Sequence, residues 1–189
     1  ISLLATVEVD GDRLGDTELA MFLVQLLVAG NETTRNALSG GLVAFSRHPD
    51  QWARLRADPS LLDAAVEEVL RWTTPVVYFM RTTTRAVAVR DVTLPAGTPV
   101  VLHYLSANRD EEAFGPTADR FDIGRRPNHH LAFGSGPHYC LGAALARIEL
   151  RAVLEALAAR YGTIAPAGPV ERSMSLVIAG VRRAPLALR

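Results

Sequence analysis

Apolar residues crowd the chain from Leu19 onwards, and no proline appears before Pro49, so the pattern predicts one long helix from about Leu19 to Arg47. Asp16 or Thr17 can cap it, with Glu18 in the first turn. Its first half is apolar nearly all round, through Met21, Phe22, Leu23, Leu26, Leu27 and Val28, as expected for a helix crossing the centre of a protein. Polarity then arrives abruptly, when Asn31, Glu32, Thr33 and Thr34 follow Ala29 and Gly30. Pro49 suits the first turn of a next helix, and Ser60 with Asp63 resembles a capping box opening a helix from Leu61 to Trp72. From Val76 to Leu105 the texture is β-like, with runs at Val87 to Val89 and Val100 to Leu102 and a turn at Pro95-Ala96-Gly97, which predicts a small sheet. Asn108 to Tyr139 is rich in Gly, Pro, Asp and Arg with little periodicity, and connections of that length are usually functional or disordered. Helical spacing returns from Leu141 to Arg160, and Ser173 to Leu188 reads as a hairpin turning near Ala179-Gly180. The expected fold class is mainly α with small β-sheets (α+β), without internal repeats.

Composition narrows the function by exclusion. The 189 residues carry 20 basic and 20 acidic side chains, so no net field gathers nucleic acid or anionic lipid. Every basic residue is Arg, which reads as gene base composition and carries little functional weight. One cysteine rules out an internal disulfide, so a cytoplasmic setting is expected. No targeting segment is visible at Ile1. Leu19 to Gly30 is interrupted by Gln25 and falls short of the roughly 20 apolar residues of a membrane span, so it is expected to be a buried helix.

The most informative segment is Phe133-Gly134-Ser135-Gly136-Pro137-His138-Tyr139-Cys140-Leu141-Gly142, a glycine-rich loop that delivers a cysteine to the start of a helix. Unsatisfied N–H groups and the positive end of the helix dipole favour thiolate over thiol and prepare the sulfur to bind a metal. Gly134, Gly136 and Gly142 leave room for a flat macrocycle to approach the backbone. Two plainer readings stand beside this one. Cys140 is a small buried hydrophobe, or it joins His129, His130 and His138 in a zinc site, although their spacing follows no usual paired template.

The ten-residue segment and the Leu145-Ala146-Arg147 that follows it resemble the haem-binding signature of the cytochrome P450 superfamily. Three further stretches resemble that family's motifs in the right order. Ala29-Gly30-Asn31-Glu32-Thr33-Thr34 is similar to the oxygen-binding part of its central helix, Glu68-Val69-Leu70-Arg71 to its E-x-x-R motif, and Ala118-Asp119-Arg120-Phe121 to its later P-E-R-F-like segment. The bacterial soluble type is indicated by Ser106-Ala107-Asn108-Arg109-Asp110 and Phe121-Asp122.

The resemblance implies residues 1–189 are the C-terminal part of a single P450 domain, with the long central helix, the cysteine loop and the helix after it, and the N-terminal half absent. It implies haem b with Cys140 as the axial metal ligand, seated against Ala29, Gly30, Phe133, Gly134, Gly136 and Gly142, with Arg81 and His138 on its propionates. Glu32 and Thr33 become candidates for proton delivery, an acid beside a hydroxyl in an apolar helix; the alternative is that both simply bond within the helix. Glu68, Arg71 and Arg120 are expected as a structural ion-pair network, the role of Arg120 weakened by Thr117-Ala118 where the family usually has Asp-Pro. Val28, Ala29, Val76, Val77, Val177 and Ile178 are expected to line an apolar substrate pocket. The implied activity is a haem-thiolate monooxygenase acting on O2 and a hydrophobic small molecule, a steroid or branched lipid. No dinucleotide fingerprint or iron–sulfur cysteine set occurs, so electrons are expected from NAD(P)H through a ferredoxin reductase and a ferredoxin. The rival is a non-catalytic or incompletely folded haem-binding fragment.

Overall fold

In the computed structural model, which describes residues 2–8 and 10–189, a short helix α1 (Ser2–Thr6) precedes the long helix α2 (Asp16–Arg47). Neither Asp16 nor Thr17 caps α2. Instead the Gly15 N–H donates to the carboxylate of Glu18 at 2.9 Å, so an acid in the first turn takes the role. No residue of α2 before Thr34 is buried, which corrects the expectation that Leu19 to Gly30 is a buried helix: Leu27 is 73% and Val28 64% exposed. The helix persists there because its second half is packed. Ala37, Gly41, Ala44 and Phe45 recur on one face and are buried, and the large Phe45 side chain alone contributes about 1.5–3 kcal/mol. Once that half has formed, each further turn is added without a new nucleation cost.

Pro49 does open the next helix, α3 (Pro49–Ala57). The predicted Ser60–Asp63 capping box does not form: Asp58, two residues before Ser60, accepts hydrogen bonds from the Ser60 N–H (3.0 Å) and hydroxyl (2.6 Å), capping a 3-10 turn over Pro59–Leu61. Helix α4 (Leu62–Thr73) follows, and its Leu62, Ala65, Val66, Val69 and Leu70 make an unbroken buried stripe at helical spacing. Gly41 lets α2 lie close on α4, since a Cβ there would stand 2.7 Å from a methyl of Val69. Phe45 completes the contact, edge-on to Trp52 and Phe121 at centroid distances of 5.1 and 5.2 Å.

Four strands come next: β1 (Tyr78–Thr82), β2 (Val87–Val89), β3 (Val92–Leu94) and β4 (Pro99–His103). They form two antiparallel ladders, β1 with β4 and β2 with β3, rather than one sheet. Helices α5 (Tyr104–Ala107) and α6 (Glu111–Phe114) lead into an irregular stretch ending in a 3-10 turn, Gly136–His138. Helix α7 (Ala143–Arg160) packs on α4 and α2, burying Leu150 and Leu154. The C-terminal strands are β5 (Ile164–Pro166), β6 (Glu171–Arg172), β7 (Val181–Arg183) and β8 (Leu186–Leu188). The expected terminal hairpin divides: β6 pairs with β7, and β8 turns away to pair with β5. Helices with small antiparallel ladders are the predicted class. Among the described residues no helix is long and apolar enough to cross a membrane.

Candidate functional site

The segment before α7 is folded on itself. The Cys140 N–H donates to the Phe133 carbonyl at 3.0 Å, the Tyr139 N–H to Gly136 at 2.9 Å and the Gly134 N–H to Leu131 at 2.9 Å. Gly134 and Gly136 have φ of 73° and 76°, conformations that bear no side chain cheaply, which is why glycine occupies both. Helix α7 begins three residues after Cys140, with Gly142 at its N-cap and the Ala143 N–H bonded to the Cys140 carbonyl at 3.2 Å. The amides of Leu141, Gly142, Ala144 and Leu145 have no hydrogen-bond acceptor among the described residues. Half-buried Cys140 therefore sits beside a cluster of free donors at a helix start, which suits an anionic sulfur.

Two charge networks anchor the irregular stretch that leads to this loop and the helix that follows it. In the first, Glu68 and Arg71 are wholly buried and meet through two bonds, Nε to Oε2 at 2.8 Å and Nη2 to Oε1 at 2.7 Å. Arg71 spends its other donors on the carbonyls of Asn108, Ala118 and Arg120 at 2.7, 2.7 and 2.8 Å. Glu68 also accepts from the Asp122 N–H (2.9 Å) and the Asn128 amide (3.1 Å). All five guanidinium N–H groups are thereby satisfied. The third expected member is corrected: the Arg120 side chain is exposed and only its carbonyl takes part, while Arg125 approaches Glu68 at 3.3 Å. That approach is an ion pair without hydrogen-bond alignment, since Arg125 Nε has no partner.

The second network was not foreseen. Glu67, one residue earlier, receives Arg147 Nε at 2.7 Å and Nη2 at 2.8 Å and lies 3.1 Å from His130 Nε2. Burial opposes ionisation of Glu67, but the hydrogen bonds from Arg147 and His130 outweigh it and bring its carboxyl down to about 2. Arg147 also lies over the Phe133 ring at 4.6 Å and donates to the Tyr139 hydroxyl at 3.3 Å. Its one sequence signal was the Leu145-Ala146-Arg147 extension. Buried Asn108 links the same parts, accepting from the Leu131 N–H at 2.7 Å and donating to Thr74 at 2.9 Å.

The remaining expected residues fall into separate groups. Val76 and Ile178 form a β-bridge, and the Val77 N–H donates to the Val177 carbonyl at 2.8 Å, so these four pocket candidates are brought together. Val28 and Ala29 lie exposed on α2 and are not joined to them. Thr33 donates to the Ala29 carbonyl at 2.7 Å, and Glu32 holds Arg35 at 2.6 Å and the Asn36 amide at 3.2 Å, so both bond within the helix. Arg81 is exposed, its recorded bond running to the Met80 carbonyl, and His138 is exposed. The zinc alternative loses its ligands: among the described residues no three His, Cys, Asp or Glu side chains converge on a metal position.

The cytochrome P450 family model matches residues 1–185. The chain belongs to the cytochrome P450 family. It is 44% identical over 187 residues to a methyl-branched lipid omega-hydroxylase of Mycobacterium bovis, covering 98% of this chain and 44% of that protein. It is 48% identical over 155 residues to a steroid C26-monooxygenase of Mycobacterium tuberculosis, covering 82% and 41%. Among solved structures, Mycobacterium marinum cytochrome P450 CYP268A2 in complex with pseudoionone superposes with a TM-score of 0.93 at 42% identity, over 99% of this chain and 45% of that one. The chain thus spans less than half the length of these P450 relatives. The fold is the P450 fold, and membership implies a haem cofactor. The residues present fit one: free amides beside Cys140 suit a thiolate ligand, the glycine loop presents backbone without side chains, and Arg81 and His138 are open to carboxylates.

Proposed function

We propose that the whole protein is a haem-thiolate monooxygenase that inserts one oxygen atom of O2 into a C–H bond of a hydrophobic substrate, with Cys140 as the residue that would hold the haem iron through its thiolate. The observation that carries this reading is the glycine-turned loop that sets Cys140 beside four unpartnered amides at the start of α7. When bound, haem b with a thiolate ligand supplies reductive activation of dioxygen and favours O–O cleavage. The protein's tasks are to hold, orient and deliver protons. The free amides stabilise the sulfur's charge, and Arg81 with His138 pairs with the propionates. Ala29, Gly30, Phe133, Gly134, Gly136 and Gly142 form the contact surface. Thr33 would serve as the proton donor toward bound dioxygen, its hydroxyl turning from the Ala29 carbonyl, with Glu32 as the acid that resupplies it.

The apolar meeting of Val76 and Val77 with Val177 and Ile178 supports a hydrophobic substrate, which Val28 and Ala29 would approach from α2. The names of the two mycobacterial relatives support a steroid or methyl-branched lipid. Electrons come from NAD(P)H through a ferredoxin reductase and a ferredoxin. A second reading, a haem-binding piece without turnover, is favoured for the 189-residue chain alone by the open apolar first half of α2. One experiment addresses both: the protein is reduced with haem and carbon monoxide is added. A strongly red-shifted Soret band supports Cys140 ligation, and its absence from the full-length protein overturns the proposal. That band with no turnover by the 189-residue chain favours the second reading for it.

A further inference from the structure

A cavity of about 530 Å³ lies behind the 173–180 loop, where the ends of α2 and α4 meet the C-terminal strands. Its rim carries Arg47, Arg109 and Arg172, together with His48, and none of its lining residues is acidic. Among the described residues none of these three arginines forms an ion pair. Arg109 lies over the Trp72 ring at 4.0 Å and donates to the carbonyls of Arg71 (3.3 Å) and Trp72 (2.9 Å) at the end of α4. Burial first and the neighbouring Arg71 charge second hold its guanidinium down at about 10, against the opposing pull of Glu68. The C-termini of α2 and α4 bring roughly half a negative charge each. Those partial charges do not balance three guanidinium groups, and no acidic side chain lines the cavity to complete the balance.

Hydroxyl groups complete a donor set. Ser175 Oγ accepts from the N–H groups of Val177 and Ile178 at 3.3 and 3.1 Å, which leaves its O–H free to donate. Ser173 and Thr73 also line the space. The volume lies within the ordinary range of small-ligand pockets, about 300–1,000 Å³.

We propose that this cavity binds an oxyanion, a phosphate or carboxylate group held by Arg47, Arg109 and Arg172. The site is independent of the haem reading. It shares Ile178 with the expected substrate pocket, whereas Val76 and Val77 do not line it, so an anion bound here contacts the loop without entering that pocket. The same chemistry has two sources: a free anion, or an acidic side chain from a longer polypeptide.

The test uses the full-length haem-loaded protein titrated with inorganic phosphate against potassium chloride at matched ionic strength, followed by tryptophan fluorescence, compared with that of a Trp72→Phe variant, and by thermal unfolding. A free-anion site gives saturable quenching or enhancement and a rising Tm. Arg172→Gln and Arg47→Gln, which remove no recorded hydrogen bond, then weaken phosphate binding by roughly tenfold each without lowering Tm in chloride. If phosphate has no effect yet both variants lower Tm in chloride, the anion is an acidic side chain of the same polypeptide. If phosphate has no effect and both variants keep the parent Tm, the proposal is overturned.

Discussion

Glu67 and Arg147 are joined by two parallel bonds, 2.7 and 2.8 Å, that tie α4 to the first turns of α7 just beyond Cys140. The pair is partly exposed, about 29% for the Glu67 side chain, so it stands between a screened surface bridge and a buried one. Because the folded-state carboxyl is depressed from 4.5 to about 2, its contribution is fully present above pH 4.5 and is lost as the pH falls through 2. Urea unfolding of the parent is expected to lose up to about 3 kcal/mol between pH 5 and 2 that Glu67→Gln does not lose. Parallel pH curves for the two proteins would remove the pair from the stability account.

Glu68, the next residue, is the more severe test. Removing its carboxylate strands Arg71 with no exposure to water, so Glu68→Ala is expected to cost about 3–5 kcal/mol, a large part of a total near 5–15 kcal/mol. Arg120→Ala keeps the carbonyl that Arg71 uses and is expected to change stability by less than about 0.5 kcal/mol. Equal losses in thermal unfolding would show that the Arg120 side chain belongs to the network.

The contrast between these two arginines shows where sequence stops being legible. The motif Glu68-Val69-Leu70-Arg71 sits three residues apart on one helical turn, so local spacing alone brings the pair together. Which later segment closes around it depends on an irregular chain path from Asn108 to Tyr139 that has no periodicity to read. Arg125 therefore stands where Arg120 was expected, and Asn108, at the start of that aperiodic stretch, is a buried junction. The first half of α2 departs from expectation for a related reason: its apolar pattern predicts burial, yet the described residues pack only against its second half.

Helix packing provides a third prediction. Alanine in place of Gly41 gains helix propensity of about 0.8–1.0 kcal/mol, yet its Cβ would press on Val69 at 2.7 Å. Overpacking of that kind costs about 1–3 kcal/mol, so Gly41→Ala is expected to be net destabilising. Adding Val69→Ala opens the space, and a double-mutant cycle by chemical denaturation should show the two changes coupled. Strict additivity would mean that α2 and α4 do not rely on the glycine for their approach.

Thr33 separates function from stability. Its hydroxyl is bonded to the Ala29 carbonyl within α2 and is not deeply buried, so Thr33→Ala leaves no stranded donor and should unfold within about 0.5 kcal/mol of the parent. If the same hydroxyl passes protons in the full-length enzyme, the loss appears in the fate of electrons: NAD(P)H consumption continues while hydrogen peroxide rises at the expense of hydroxylated product. Thr33→Ser, which keeps an O–H at the same position, should restore the coupling that Ala loses. Unchanged coupling in Thr33→Ala would leave Thr33 with the purely helical role that its bond to Ala29 describes.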